Sequence, residues 1–170
     1  MFEKFGEFDY YEEINRAAAA QLEEGDTEAI YAIAEENGID REDAEEYIDG
    51  DAAELVTALM AANGKLKVEA AELQPKEIMA DWLDYIQIQC FEDPEMRLAV
   101  RRKGKSLKEC IGKLVKWSLE HDENVDKDII NAAGLPEWAQ KGCKLGIPGM
   151  GTAKQLIKEY YLGGGENAGV

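Results

Sequence analysis

Apolar and polar positions along the chain fall into short groups with helical spacing, each with its own start and stop. Asp9 precedes a run from Tyr10 to Glu24, with Glu12 three residues on as a reciprocal cap, and Gly25 stops the run. Asp26 or Thr27 opens a second helix through Ile30, Ile33 and Ala34 that ends at Asn37-Gly38, residues suited to the left-handed conformation after helix ends. Asp40 with Asp43 opens a third, reaching about Asp49, and a fourth is expected from Asp51 or Ala52 through Leu55, Leu59 and Met60 to Asn63-Gly64.

Residues 65 to 74 mix a strand-like alternation, Leu66 and Val68, with helix-like Ala70, Ala71 and Leu73, and predict a partly helical connector. Beyond it Pro75 suits a first helical turn, and Ile78, Met79, Trp82, Leu83, Tyr85, Ile86 and Cys90 form the broad stripe of a central helix. A short helix from Pro94 to Arg102 follows, then one capped by Ser106 and Glu109 that carries Leu107, Cys110, Ile111 and Leu114. Val125 to Ala133, Pro136 to Lys141 and Thr152 to Leu162 complete the helices, and residues 163 to 170 predict a disordered tail. No strand pair and no repeat is visible, so the fold class expected is all-α. An acidic N-terminal bundle of short helices (1 to 64) is followed by a domain of longer helices (75 to 162).

Charge sharpens this division. The formal net charge is −17, and residues 1 to 64 hold 19 Asp and Glu against 3 Lys and Arg, while residues 65 to 170 hold 17 against 16. Within the balanced part, residues 97 to 116 carry eight Lys and Arg against Glu109 alone. No apolar run is long enough to span a membrane and the N-terminus is acidic, which predicts a cytoplasmic protein without membrane contact. Three widely spaced cysteines, Cys90, Cys110 and Cys143, predict buried thiols rather than disulfides or a zinc site.

Four segments carry candidate chemistry. Asp122, Asn124, Asp126 and Asp128 have calcium-loop spacing, but Lys127 stands where the turn needs Gly and Ala133 where it needs Glu, so a capping loop is expected instead. LGIPGMGTAK, residues 145 to 154, is a glycine-rich entry to a helix; Gly149, Gly151 and Lys154 are candidate phosphate contacts, similar to the turn of a helix-hairpin-helix motif apart from Gln155 where that motif has Ala. Arg101, Arg102, Lys103 and Lys105 are candidate DNA or RNA contacts, or partners for the acidic third within one molecule or between two copies in a homodimer. The fourth is the acidic face of Glu23, Glu24, Glu28, Glu35, Glu36, Asp40, Glu42, Asp43, Glu45, Glu46 and Asp49, dense enough to imitate a nucleic-acid backbone or to keep the protein soluble. A single histidine, His121, in a polar loop offers no nucleophile pair and no metal pair, so neither catalysis nor a cofactor is expected.

MFEKFGEFD at the start, ENGIDREDAEEYIDG at 36 to 50, RRKGKSLKECIGKLVKWS at 101 to 118, VDKDIINAAG at 125 to 134 and LGIPGMGTAKQLIKEYYLG at 145 to 163 resemble small acidic proteins of Firmicutes prophages and conjugative elements. The K-S-L-x-x-C segment, V-D-x-D-I and the late Tyr160-Tyr161 pair are similar to the PcfK-like family, some members of which inhibit the Cas9 nuclease; the long acidic N-terminal region departs from that family. The resemblance implies a mobile-element protein that inhibits or modulates a host nucleic-acid enzyme by binding its basic surface, most sharply an anti-CRISPR protein with a Cas9-type nuclease as first candidate partner.

Overall fold

In the computed structural model, which describes residues 4–163, the first three helices lie close to where the sequence places them, but of the caps expected there Asp26 makes its bond and Asp40 makes no side-chain cap hydrogen bond. Helix α1 spans Tyr11–Glu24 and ends at Gly25 in the left-handed conformation. Its reciprocal cap is Glu13 rather than Glu12: the Glu13 carboxylate accepts from the amides of Asp9 at 2.7 Å and Tyr10 at 3.4 Å. Asp26 caps α2 (Thr27–Glu36) by accepting from the Ala29 amide at 3.0 Å, and α3 runs Arg41–Asp49 to a left-handed Gly50. Ile14, Ala18, Ile30, Ile33, Ala44 and Tyr47 point inward from these helices and form a first core with Leu55, Val56 and Ala61. Asn15 fastens the non-helical segment before α4 to α1, donating to the Val56 carbonyl and accepting from the Val56 amide, both at 2.9 Å.

The fourth helix corrects two expectations. It starts late, after Thr57, whose hydroxyl accepts from the Met60 amide, and as α4 (Ala58–Leu73) it runs through Asn63 and Gly64 and through the segment expected to be a connector. Asn-Gly stops a helix when nothing else holds it. Here Ala61 belongs to the first core while Ala62 and Leu66 belong to a second, so contacts on both sides outweigh the local preference. Gly64 is used for close approach: a β-carbon there would lie 2.1 Å from the Asn37 carbonyl oxygen, and one on Gly38 would lie 2.2 Å from that of Gly64. The place expected to divide the chain is thus a helix shared by both lobes.

Helices α5 (Ile78–Glu92), α6 (Pro94–Arg101) and α7 (Leu107–Glu120) follow, α6 capped by Asp93 with Pro94 in its first turn. Strand β1 (Glu123–Asn124), α8 (Lys127–Ala132), α9 (Glu137–Gln140) and β2 (Lys144–Leu145) make a small excursion, with β1 antiparallel to β2 and Glu123 opposite Leu145. This ladder corrects the expectation of no strand pair; two residues a side is too short for alternation to reveal. Helix α10 (Met150–Leu162) closes the second core of Trp82, Ile86, Met96, Leu107, Leu114 and Ile157. The protein is all-α apart from that ladder among the described residues. Of the tail expected to be disordered, residues 164 to 170 lie outside the described residues. No helix among the described residues is long and apolar enough to cross a membrane.

Candidate interaction surface

Because α1, α2 and α3 each bury an apolar face in one small core, their polar residues are turned outward. Glu23, Glu24, Glu28, Glu35, Glu42, Glu45, Glu46 and Asp49 are all exposed, and Asp43 is half-buried. Among the described residues, three carboxylates of the face have side-chain or backbone partners. Glu36 accepts from the amides of Lys4 and Phe5, Asp40 meets Lys67 at 2.6 Å, and Glu45 meets Arg41 at 3.0 Å. Arg41 also lies over the Tyr31 ring, 4.0 Å from its centre.

The basic segment fares differently, and Arg101 is a correction. Expected among the phosphate contacts, it is 1% exposed and donates to the Asn37 side-chain carbonyl at 2.9 Å, which removes it from any surface. Arg102 is exposed but meets Asp9 at 3.1 Å and lies over the Tyr10 ring, while the Lys103 amide donates to the same Asp9 carboxylate at 2.8 Å. Lys105 donates to the Tyr160 carbonyl at 2.6 Å. Cations and carboxylates therefore do meet within one molecule, along the seam between the lobes. The side chains of Lys103, Lys108, Lys113 and Lys116 remain on the surface.

The centre of this seam is a residue that sequence reasoning passed over. Lys65 is fully buried; its ammonium donates to the Glu7 carboxylate at 2.8 Å and to the carbonyls of Arg102 at 2.9 Å and Lys105 at 2.6 Å. One turn on, Glu69 accepts from the Leu107 amide at 2.8 Å, at the start of α7. The signal was present in the i, i+4 spacing of Lys65 and Glu69 on the side of α4 that carries Ala62 and Leu66, but it is visible only once α4 is known to be one helix.

Burial raises the Glu69 pKa above the ordinary carboxylate value, against the lowering effects of the Leu107 amide and Lys65. With the folded-state value above the unfolded one, the folded protein binds the proton more tightly. This contribution to stability is complete below the unfolded-state pKa and is lost as pH rises through the raised value. Urea unfolding of the Glu69→Gln variant and the parent between pH 4 and pH 8 (roughly, the window that brackets a raised carboxylate) is expected to show the parent losing stability relative to the variant as pH rises. A constant difference would contradict it.

The glycine-rich entry to α10 also departs from expectation. Gly149 is its N-cap, Gly151 lies in its first turn and Lys154 sits over the Tyr85 ring at 5.0 Å. The element before the turn is β2 rather than a helix, so the helix-hairpin-helix likeness fails on architecture. Asp126 caps α8 by accepting from the Asp128 amide at 2.8 Å, in line with the capping loop expected there. Cys90 and Cys110 are buried and their thiols are pushed up to about 12 by burial, which suppresses thiolate formation; Cys143 is half-buried. His121 stacks on Trp117 with ring centres 4.3 Å apart. Among the described residues no group of three or more His, Cys, Asp or Glu is placed to hold a metal ion.

Set against family models, curated proteins and solved structures, the chain matches none, and the resemblance carried by its motifs gains no support from them. What the geometry defines is a two-lobed helical protein with one strongly acidic lobe.

Proposed function

We propose that the chain is a binding protein whose acidic lobe docks on the basic surface of a nucleic-acid-binding partner, taking the place of a phosphate backbone. The observation that carries this reading is the division of charge: α1 to α3 keep eight carboxylates of the face exposed, while Arg101 and Arg102 are held in the seam. Such a surface speeds encounter with a basic groove and makes the association sensitive to salt, because exposed charges are screened beyond about 10 Å at 0.1 M. A Cas9-type nuclease with its guide RNA is the first partner to assay, as the motif resemblance implies, and inhibition of a host enzyme by a mobile element is the sharpest form of the reading. The protein acts here without a cofactor and without catalysing a reaction.

Nucleic-acid binding through the second lobe is the other reading, favoured by the exposed Lys103, Lys108, Lys113 and Lys116 and weakened by the burial of Arg101. One experiment separates the two. The parent and a variant with Glu23, Glu24, Glu28 and Glu46 changed to Lys are compared for capture of the guide-loaded nuclease, for inhibition of cleavage and for DNA binding at low and high salt. The parent is expected to capture the nuclease and inhibit cleavage at low salt, with the charge-reversed form losing at least about tenfold in affinity while melting cooperatively. Equal inhibition by a folded charge-reversed form would reject the acidic docking, and capture of DNA alone would move the function to α7 and the loop before it.

A further inference from the structure

The segment before α1 belongs to the acidic lobe by its backbone and to the seam by its side chains. The amides of Lys4 and Phe5 donate to Glu36 and those of Asp9 and Tyr10 to Glu13, whereas the carboxylates of Glu7 and Asp9 reach across to Lys65 and Arg102. At the outer end of this contact, in the loop between α6 and α7, two donors converge on one oxygen. Arg102 Nε lies 3.1 Å from Asp9 Oδ1, and the Lys103 amide donates to the same oxygen at 2.8 Å. Groups other than Asp9 hold both donors in position. From inside, the Lys65 ammonium gathers the carbonyls of Arg102 and Lys105, which fixes the loop around Lys103, and Gly104 turns the chain there with a φ of 79°. The Arg102 guanidinium lies over the Tyr10 ring, 4.4 Å from its centre. The loop is thus a preorganised anion cradle at the protein surface, already occupied by one anionic oxygen, and the exposed side chains of Lys103, Lys108, Lys113 and Lys116 follow it along the chain.

We propose that this cradle binds a phosphate group of a nucleic-acid strand and that Asp9 is its internal stand-in, which the phosphate displaces. The inference deepens the second-lobe reading above and rests on it; the outward face of α1 to α3 takes no part. A phosphate suits the cradle because a guanidinium and a backbone amide both make charge-assisted bonds to its oxygens. The lysines that follow meet further phosphates of the same strand. Displacement requires no refolding, since Glu36 and Glu13 keep the backbone of the segment in place while the Asp9 side chain turns away. Competition from Asp9, added to the negative field of the first lobe, keeps the affinity of the parent low.

The test is the anisotropy of a labelled oligothymidylate titrated with the whole chain, with the Lys103 amide followed by NMR. Asp9→Asn keeps the shape of the side chain without its charge and is expected to bind at least about fivefold more tightly than the parent. Glu46→Gln removes the same charge elsewhere on the first lobe and is expected to change affinity by less than about twofold. Distance alone produces some of that contrast, so the deciding comparison is Asp9→Asn made in an Arg102→Gln background. There the cradle predicts that the gain falls below about twofold, whereas long-range charge predicts an undiminished gain. Asp9 and Arg102 are both partly open to solvent, and cooperative melting checks that each variant is folded. The Lys103 amide is expected to shift as the oligonucleotide saturates Asp9→Asn. An undiminished gain without Arg102, or a Lys103 amide that stays in place, would overturn the cradle and leave second-lobe binding standing. Absence of binding by every variant would overturn both. Equal affinity of Asp9→Asn for polyglutamate would overturn the phosphate as ligand and give the cradle to an acidic protein instead.

Discussion

Replacement of Lys65 by Ala is expected to destabilise the protein by about 3–5 kcal/mol, the cost of leaving a buried ionic group without its partner. The ammonium is met by the Glu7 carboxylate and by two backbone carbonyls, those of Arg102 and Lys105, with Glu69 4.0 Å away. Without it, Glu69 stays buried beside a cavity, and the loop between α6 and α7 loses the group that gathers its carbonyls. The comparison that isolates burial is Lys67→Ala, which breaks a pair at a similar distance on the surface and is expected to cost no more than about 1 kcal/mol. Urea midpoints of the two variants measure the difference, with equal and small shifts counting against the seam as a source of stability. Lys65→Met keeps the volume without the charge and is expected to fall between the parent and Lys65→Ala.

Gly64→Ala is expected to cost about 3 kcal/mol, although alanine is the better helix former. The added β-carbon would sit 2.1 Å from the Asn37 carbonyl oxygen, a backbone atom that can yield only if α2 and α4 separate. Displacing Asn37 also disturbs the hydrogen bond that its side chain accepts from Arg101 of α6. Gly112, in the middle of α7, has open space where its β-carbon would go, so Gly112→Ala is expected to stabilise by about 0.5–1 kcal/mol. Opposite signs for the same substitution in two helices, read as shifts in thermal midpoint, show that the packing of α4 rather than helix propensity governs position 64. A stabilised Gly64→Ala would mean that the lobes do not cross as closely as the structure has them.

These effects locate what holds the acidic lobe in place. Its own core is small, and its attachment runs through α4, the Lys65 ammonium and the strap of Glu7, Asp9 and Tyr10 laid against the loop before α7. Carboxylates on the outside repel one another, so a lobe of this charge gains from cations held at its inner edge. The same arrangement lowers the number of cations in the second lobe free to attract nucleic acid.

Much of α1 to α3 was legible in the residues themselves. Asp26 as a cap, Gly25 as the stop of α1, the end of α3 at Asp49 and the outward carboxylates of Glu23, Glu28 and Glu46 all follow from interactions within about one helical turn, where sequence neighbours are also spatial neighbours. The start of α7 was legible for the same reason, Ser106 accepting from the Glu109 amide; yet Glu109 itself turns away from the expected box and accepts from the Tyr160 hydroxyl at 2.8 Å. Tertiary structure alone decided that α4 continues through Asn63 and Gly64 and that Arg101 and Lys65 are buried. Each of these depends on groups far along the chain, 58 residues apart for Lys65 and Glu7 and 64 for Arg101 and Asn37. A local pattern states which groups want a partner or a stop, and only the packing of the two lobes determines which of those preferences is overruled.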